Sequence, residues 1–133
     1  ITPPLNFGSS PYFLDYPGTI SFRLSTLMDA VEDMVRSLYA QGFRRILILN
    51  GHGGNVGVRA RLDELVNELT NLKLNWYSWW ESHGVEPIAL KNELKPGHAN
   101  WLESFGPYQA DAAIMNEIFS IAVGDILEIL KFE

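Results

Sequence analysis

Six consecutive residues, Asn50-Gly51-His52-Gly53-Gly54-Asn55, place one imidazole among three glycines and between two asparagines. Glycines let the backbone adopt conformations closed to other residues and let a ligand approach closely. A histidine between glycines has little room to be a core residue, so its ring projects from a tight turn. Such a ring can carry a proton near neutrality or ligate a metal. If a helix follows, its first amides and its dipole favour an anion. The plain alternative is a strand-to-helix turn without chemistry. The glycine spacing is not a dinucleotide fingerprint, and no Lys-Ser or Lys-Thr follows to make a P-loop.

A second group lies in Gly97-His98-Ala99-Asn100-Trp101-Leu102-Glu103-Ser104. An imidazole and a carboxylate are ligands for a divalent transition metal such as zinc, and they are also acid–base groups. Five residues of helix separate them by about 500° of rotation, so both reach one cleft only if the first turn is irregular. The plain alternative is that His98 caps the helix start and Glu103 is solvated. His83, in Glu81-Ser82-His83-Gly84, reads as a structural or exposed loop histidine. Gly8-Ser9-Ser10-Pro11 follows no strand and lacks the closing glycine of a nucleophile elbow, which argues against serine hydrolysis. The chain has no cysteine, which excludes disulfides, thiol nucleophiles and Cys-ligated metals.

The elements that must position these groups follow from periodicity. Leu27, Val31, Met34 and Leu38 predict a helix over 25–41, capped by Ser25 and stopped by Gly42. The apolar run at 44–50 (RRILILN) predicts a strand buried on both faces, as parallel sheets require. A helix over 56–69, with Val58, Leu62, Leu65, Val66 and Leu69 on one face, and a strand over 72–80 complete a βαβ unit. Strand 72–80 carries Trp76, Trp79 and Trp80. All three read as core or subunit interface; the alternative is that Trp79 or Trp80 walls a substrate pocket, and Trp80 is the candidate substrate-binding residue. Residues 81–96 read as irregular, with a short helix from about His98 and a helical pattern over 109–131 that Gly124 weakens. Residues 1–19 read as an ordered loop anchored by Phe7, Tyr12, Phe13 and Tyr16. Asp29, Glu32, Asp33, Asp63, Glu64 and Glu68 read as a solvated helix face. The fold class is α/β, a mainly parallel sheet flanked by helices. Since open sheets of this kind usually hold four or more strands, further strands are expected in the irregular parts or outside the chain.

The chain's 133 residues suffice for one domain, 1–133. A formal charge of −6 with scattered basic residues argues against a nucleic-acid or anionic-membrane partner. No run approaches the ~18 apolar residues of a membrane span. These features, with the missing cysteine, lead to an expectation of a cytoplasmic protein.

PGTISF at 17–22, GFRRILILNGHGGN at 42–55 and HANWLES at 98–104 resemble the creatininase (creatinine amidohydrolase) family in order, spacing and context. The resemblance implies a three-layer α/β fold and a metal-dependent amidohydrolase acting on small or cyclic amides. It implies two divalent ions per site (zinc, manganese or iron) and a homo-oligomer, commonly a hexamer. Carried over by position, His52 is a metal ligand and Glu103 a ligand or acid. By the same comparison His98 stands near the substrate, and Asn50, Gly53, Gly54 and Asn55 shape the site. Two departures stand out. Gly54 occupies the place where creatininase proper has a Glu ligand, and residues 12–16 lack the family's histidine. The family's first strand and its Glu, His and Asp ligands would precede Ile1. The chain is therefore expected to begin inside the fold, and a non-catalytic subunit that keeps scaffold and oligomer surfaces is the alternative. A small-molecule binding module using the helix N-terminus for an anion is a third reading.

Overall fold

The computed structural model describes residues 1–94 and 111–132. They fall in two compact units, Ile1–Trp76 and Tyr77–Glu133.

In the first unit, helix α1 spans Leu24–Ala40, strand β1 Arg45–Leu49, helix α2 Val58–Glu68 and strand β2 Lys73–Tyr77, whose last residue opens the second unit. The two strands pair as a small parallel sheet, entered by the Lys73 amide donating to the Arg44 carbonyl at 2.8 Å. The fold is thus α/β, as expected. Helix α1 ends where the glycine demands. Gly42 takes φ +97°, its amide donates to the Tyr39 carbonyl, and the Phe43 amide reaches back to Leu38. These two bonds satisfy carbonyls that the last turn would leave unpaired. The start differs from expectation. Arg23, not Ser25, holds the cap position, because the Leu27 amide already bonds to the Arg23 carbonyl.

Period-two alternation sends Ile46 and Ile48 of β1 and Leu74 and Trp76 of β2 to the helix-covered face. There they meet Leu27 and Val35 of α1 and Val58, Leu62 and Leu65 of α2. Burial on both faces of β1 does not hold, since Leu49 is 60% exposed. Alternation puts it opposite the face that the helices cover. Val66 was expected on the buried face of its helix but is exposed, lying beyond the stripe set by Val58, Leu62 and Leu65.

The acidic face is more than solvated. The Glu32 carboxylate has a side-chain exposure of 15%. It accepts from Arg36 Nε at 2.6 Å and from Arg61 of α2 at 2.5 and 2.8 Å. Arg36 also pairs with Glu68, and Arg61 with Glu64. This network ties α1 to α2, and the two guanidiniums hold the Glu32 carboxyl down at about 2. Asp29, Asp33 and Asp63 are exposed, as expected.

In the second unit, a single-turn helix at Trp79–Glu81 takes the place of the end of the expected strand 72–80. Helix α3 (Val85–Lys91) then stands where irregular chain was expected. Pro87 hides it in the sequence, but Pro87 is the third helical residue, where its missing N–H costs nothing. Helix α4 spans Ala112–Ile129, within the expected 109–131 and unbroken by Gly124. Asp111 caps it by accepting from the Ala113 amide at 2.6 Å. Val85, Ile88 and Ala89 of α3 and Ile118 of α4 form this unit's core, with Trp79 packed against it. Tyr77 donates to Asp125 Oδ2 at 2.8 Å. Another stripe of α4, with Phe119, Val123 and Leu127, is exposed. Among the described residues no helix is long and apolar enough to cross a membrane.

Candidate active site

The residues Asn50–Asn55 leave the carboxyl end of β1 and run through a single helical turn, Gly53–Asn55, into α2. Ligand sites of open α/β sheets lie at this edge. Asn50 is buried at 8% exposure, and its Oδ1 accepts both the His52 amide and the Asn55 side-chain N–H, each at 3.2 Å. The Asn55 amide donates to the His52 carbonyl at 3.1 Å. The two asparagines therefore brace the turn from within.

A second segment closes over this turn. The Ser9 amide donates to Asn55 Oδ1 at 3.0 Å. His52 Nε2 lies 3.0 Å from Ser10 Oγ and 3.2 Å from the Ser9 carbonyl oxygen. The segment is itself tied down. The Phe22 amide donates to the Gly8 carbonyl at 2.9 Å, the Ser10 amide donates to Ser21 Oγ at 2.8 Å, and the Phe7 and Phe22 rings pack at 5.6 Å. Ring anchoring of the 1–19 loop holds for Phe7 and for Phe13, whose ring meets Tyr16 at 6.2 Å. Tyr12 and Tyr16 are mostly exposed.

Two glycines permit this approach. A Cβ on Gly54 would sit 2.0 Å from the Ser9 carbonyl oxygen and 2.7 Å from His52 Nε2. A Cβ on Gly8 would sit 2.6 Å from Asn55 Oδ1. Both distances are far inside van der Waals contact, so the glycines are there for space. Among the described residues nothing lies within 4 Å of a would-be Cβ on Gly53.

The structure thus brings His52, Asn50, Gly53, Gly54 and Asn55 into one turn. His98 and Glu103 lie outside the described residues. Trp80 stands on the Trp79–Glu81 turn of the second unit, its ring edge-on to Trp79 at 5.8 Å. His83 is exposed, as expected. Sequence reasoning missed Ser9 and Ser10, whose partners are more than forty residues away. The only local hint is a glycine in each of the two approaching segments, Gly8 and Gly54.

A divalent-metal centre takes several His, Asp or Glu ligands. Among the described residues no group of three such side chains gathers. Among the described residues, the bonds to the His52 ring and turn come from a hydroxyl, amides and a carbonyl. The described residues therefore do not fit a metal centre by themselves. What they offer is one imidazole held against the Ser9–Ser10 segment in a glycine turn at the carboxyl end of β1.

A family model described as creatinine amidohydrolase (Creatininase) matches residues 1–105. The creatinine amidohydrolase of Pseudomonas putida is 32% identical over 93 residues, which span 65% of this chain and 35% of that protein. The matched stretch thus covers about a third of the relative's length, and α4 lies beyond the family match.

Proposed function

The chain belongs to the creatininase family, and from that membership we propose that it forms part of an amidohydrolase, which cleaves a C–N amide bond of a small or cyclic amide. The observation that carries this reading is His52, held in a glycine turn at the carboxyl end of β1 inside the family match. In this reading water adds to the amide carbonyl, the C–N bond breaks, and a carboxylate and an amine form, on one molecule where the amide is cyclic. Backbone amides of the 51–55 turn stabilise the developing oxyanion. His98 passes the proton of the attacking water to the leaving nitrogen, and Glu103 assists as an acid. A divalent ion, zinc, manganese or iron, belongs to the reading through the family. Its ligands would be His52 and Glu103, with the remaining ligands outside the described residues.

Homo-oligomer formation and a cytoplasmic location complete the proposal. The exposed apolar stripe of α4 supports assembly, since surfaces of that kind mark contact sites. The second reading, a non-catalytic subunit, is favoured by one observation, the shortage of metal-ligating side chains among the described residues.

One experiment separates the two. The purified protein is assayed against a panel of small and cyclic amides, creatinine included, with metal content measured on the same sample. Turnover that disappears in His52→Ala and His98→Ala, together with bound metal, supports the hydrolase. No turnover and no metal sinks it in favour of the scaffold subunit.

A further inference from the structure

We propose that α4 pairs with α4 of a second copy of this chain, antiparallel about a two-fold axis near Gly124. One face of α4, with Ile114, Ile118 and Ile121, belongs to the core of its own unit. Phe119, Val123 and Leu127 follow one another turn by turn on the opposite face, and Phe119 is 69% and Leu127 60% exposed. Side chains four residues apart form a ridge along a helix. Ser120 and Gly124 form the row beside that ridge. Among the described residues nothing outside α4's own backbone lies within 4 Å of a would-be Cβ on Gly124. A ridge of large apolar side chains thus runs beside a groove of small residues. A face with both parts is complementary to itself, which a two-fold contact between identical chains demands. The ridge of each helix lies in the groove of the other.

Charge sets the direction of the pair. Helix α4 carries Glu117, Asp125 and Glu128, and Lys131 follows its end. A parallel pair would set Glu117 against Glu117 and Glu128 against Glu128, which repels. In an antiparallel pair, residues equally far from Gly124 on the two helices meet. Lys131 and Glu117 each lie seven positions from Gly124, so Lys131 of one copy meets Glu117 of the other, once at each end of the ridge. Both residues are exposed. The Lys131 ammonium already holds Glu128 at 2.6 Å, and it joins that carboxylate to Glu117 of the second copy. Helix α4 lies beyond the family match, so this contact is a property of the chain's own sequence. The inference rests on the homo-oligomer part of the proposed function and not on amide hydrolysis.

Sedimentation equilibrium of the purified full chain tests this. The wild type is expected to assemble in pairs. Val123→Lys on the ridge and Gly124→Lys in the groove are each expected to raise the dissociation constant roughly tenfold or more. Both positions are exposed, and lysine is a better helix former than valine or glycine, so both variants keep their fold, as circular dichroism checks. Glu117→Lys should also weaken pairing, whereas Glu86→Lys, the same charge change at an exposed position of α3, should not. A wild type that stays monomeric at every dilution overturns the proposal. So does assembly that neither Val123→Lys nor Gly124→Lys disturbs, which would leave homo-oligomer formation standing through another surface. An equal response to Glu117→Lys and Glu86→Lys overturns the antiparallel arrangement. Absence of amide turnover in a wild type that pairs as expected would remove the hydrolase reading and leave this one standing.

Discussion

His52 Nε2 lies 3.0 Å from Ser10 Oγ, a hydrogen bond between residues 42 apart in sequence. It joins the glycine turn after β1 to the segment before α1, and it gives the imidazole a fixed orientation. The turn and its cover form one unit, and most of the consequences below concern how that unit is held.

Asn55 holds both sides of the junction, accepting from the Ser9 amide and donating to Asn50. Asn55→Ala leaves the buried Asn50 oxygen and the Ser9 amide each short of a partner. A loss of about 1–3 kcal/mol is expected for such groups. Asn55→Asp keeps the acceptor for Ser9 but turns a charged oxygen toward the Asn50 oxygen, so it should not restore the wild-type stability. Urea denaturation of the three proteins gives the order.

Leu65 is fully buried at 0% exposure between the helices and sheet of the first unit. Leu65→Ala removes three heavy atoms from that core, with an expected cost of about 2–5 kcal/mol. Val66→Ala, one residue along and exposed, should change stability by less than about 0.5 kcal/mol. Parallel denaturation curves test whether α2 turns its side chains as described.

The carboxyl of Glu32 sits below its ordinary value of 4.5, at about 2, because Arg61 and Arg36 hydrogen-bond its charged form. Its contribution is therefore complete above pH 4.5 and is lost as pH falls from 4.5 toward 2. Glu32→Gln should flatten the acid limb of a stability–pH profile. It should also reduce the weakening that added salt causes in the wild type at neutral pH. Equal acid sensitivity in wild type and variant would contradict the network.

Tyr77 behaves in the opposite sense. Burial, with the Asp125 carboxylate as hydrogen-bond partner, pushes its hydroxyl from 10.0 up to about 12. Its contribution is complete below pH 10 and is lost as pH rises from 10 toward 12. A spectrophotometric titration should show one tyrosine ionising late, and Tyr77→Phe should remove that step.

The parts of the molecule legible in the sequence are those written in local periodicity. Helix α1, helix α2 and the apolar strand between them follow from spacing that a linear reading captures, and Gly42 marks the stop where the chain needs a positive φ. Helix α3 was illegible because Pro87 reads as a breaker unless its place in the first turn is known. Glu32 was misread because its partner Arg61 belongs to another helix, and a pairing across 29 residues leaves no local pattern. The candidate site splits the same way. The turn at 50–55 announces itself by composition, whereas Ser9 and Ser10 act only through an approach that three-dimensional packing creates.

The cover over that turn hangs on long-distance bonds, the Ser9 amide to Asn55 and the Ser10 hydroxyl to His52. Closing so long a loop costs entropy that local contacts do not return, so the cover relies on the packing of the helix and strand between its ends. The geometry of the imidazole therefore depends on long-range closure and not on the local turn alone. The same junction should loosen ahead of the core, so backbone protons at Ser9 and Ser10 should trade with solvent sooner than those of Leu62 and Leu65.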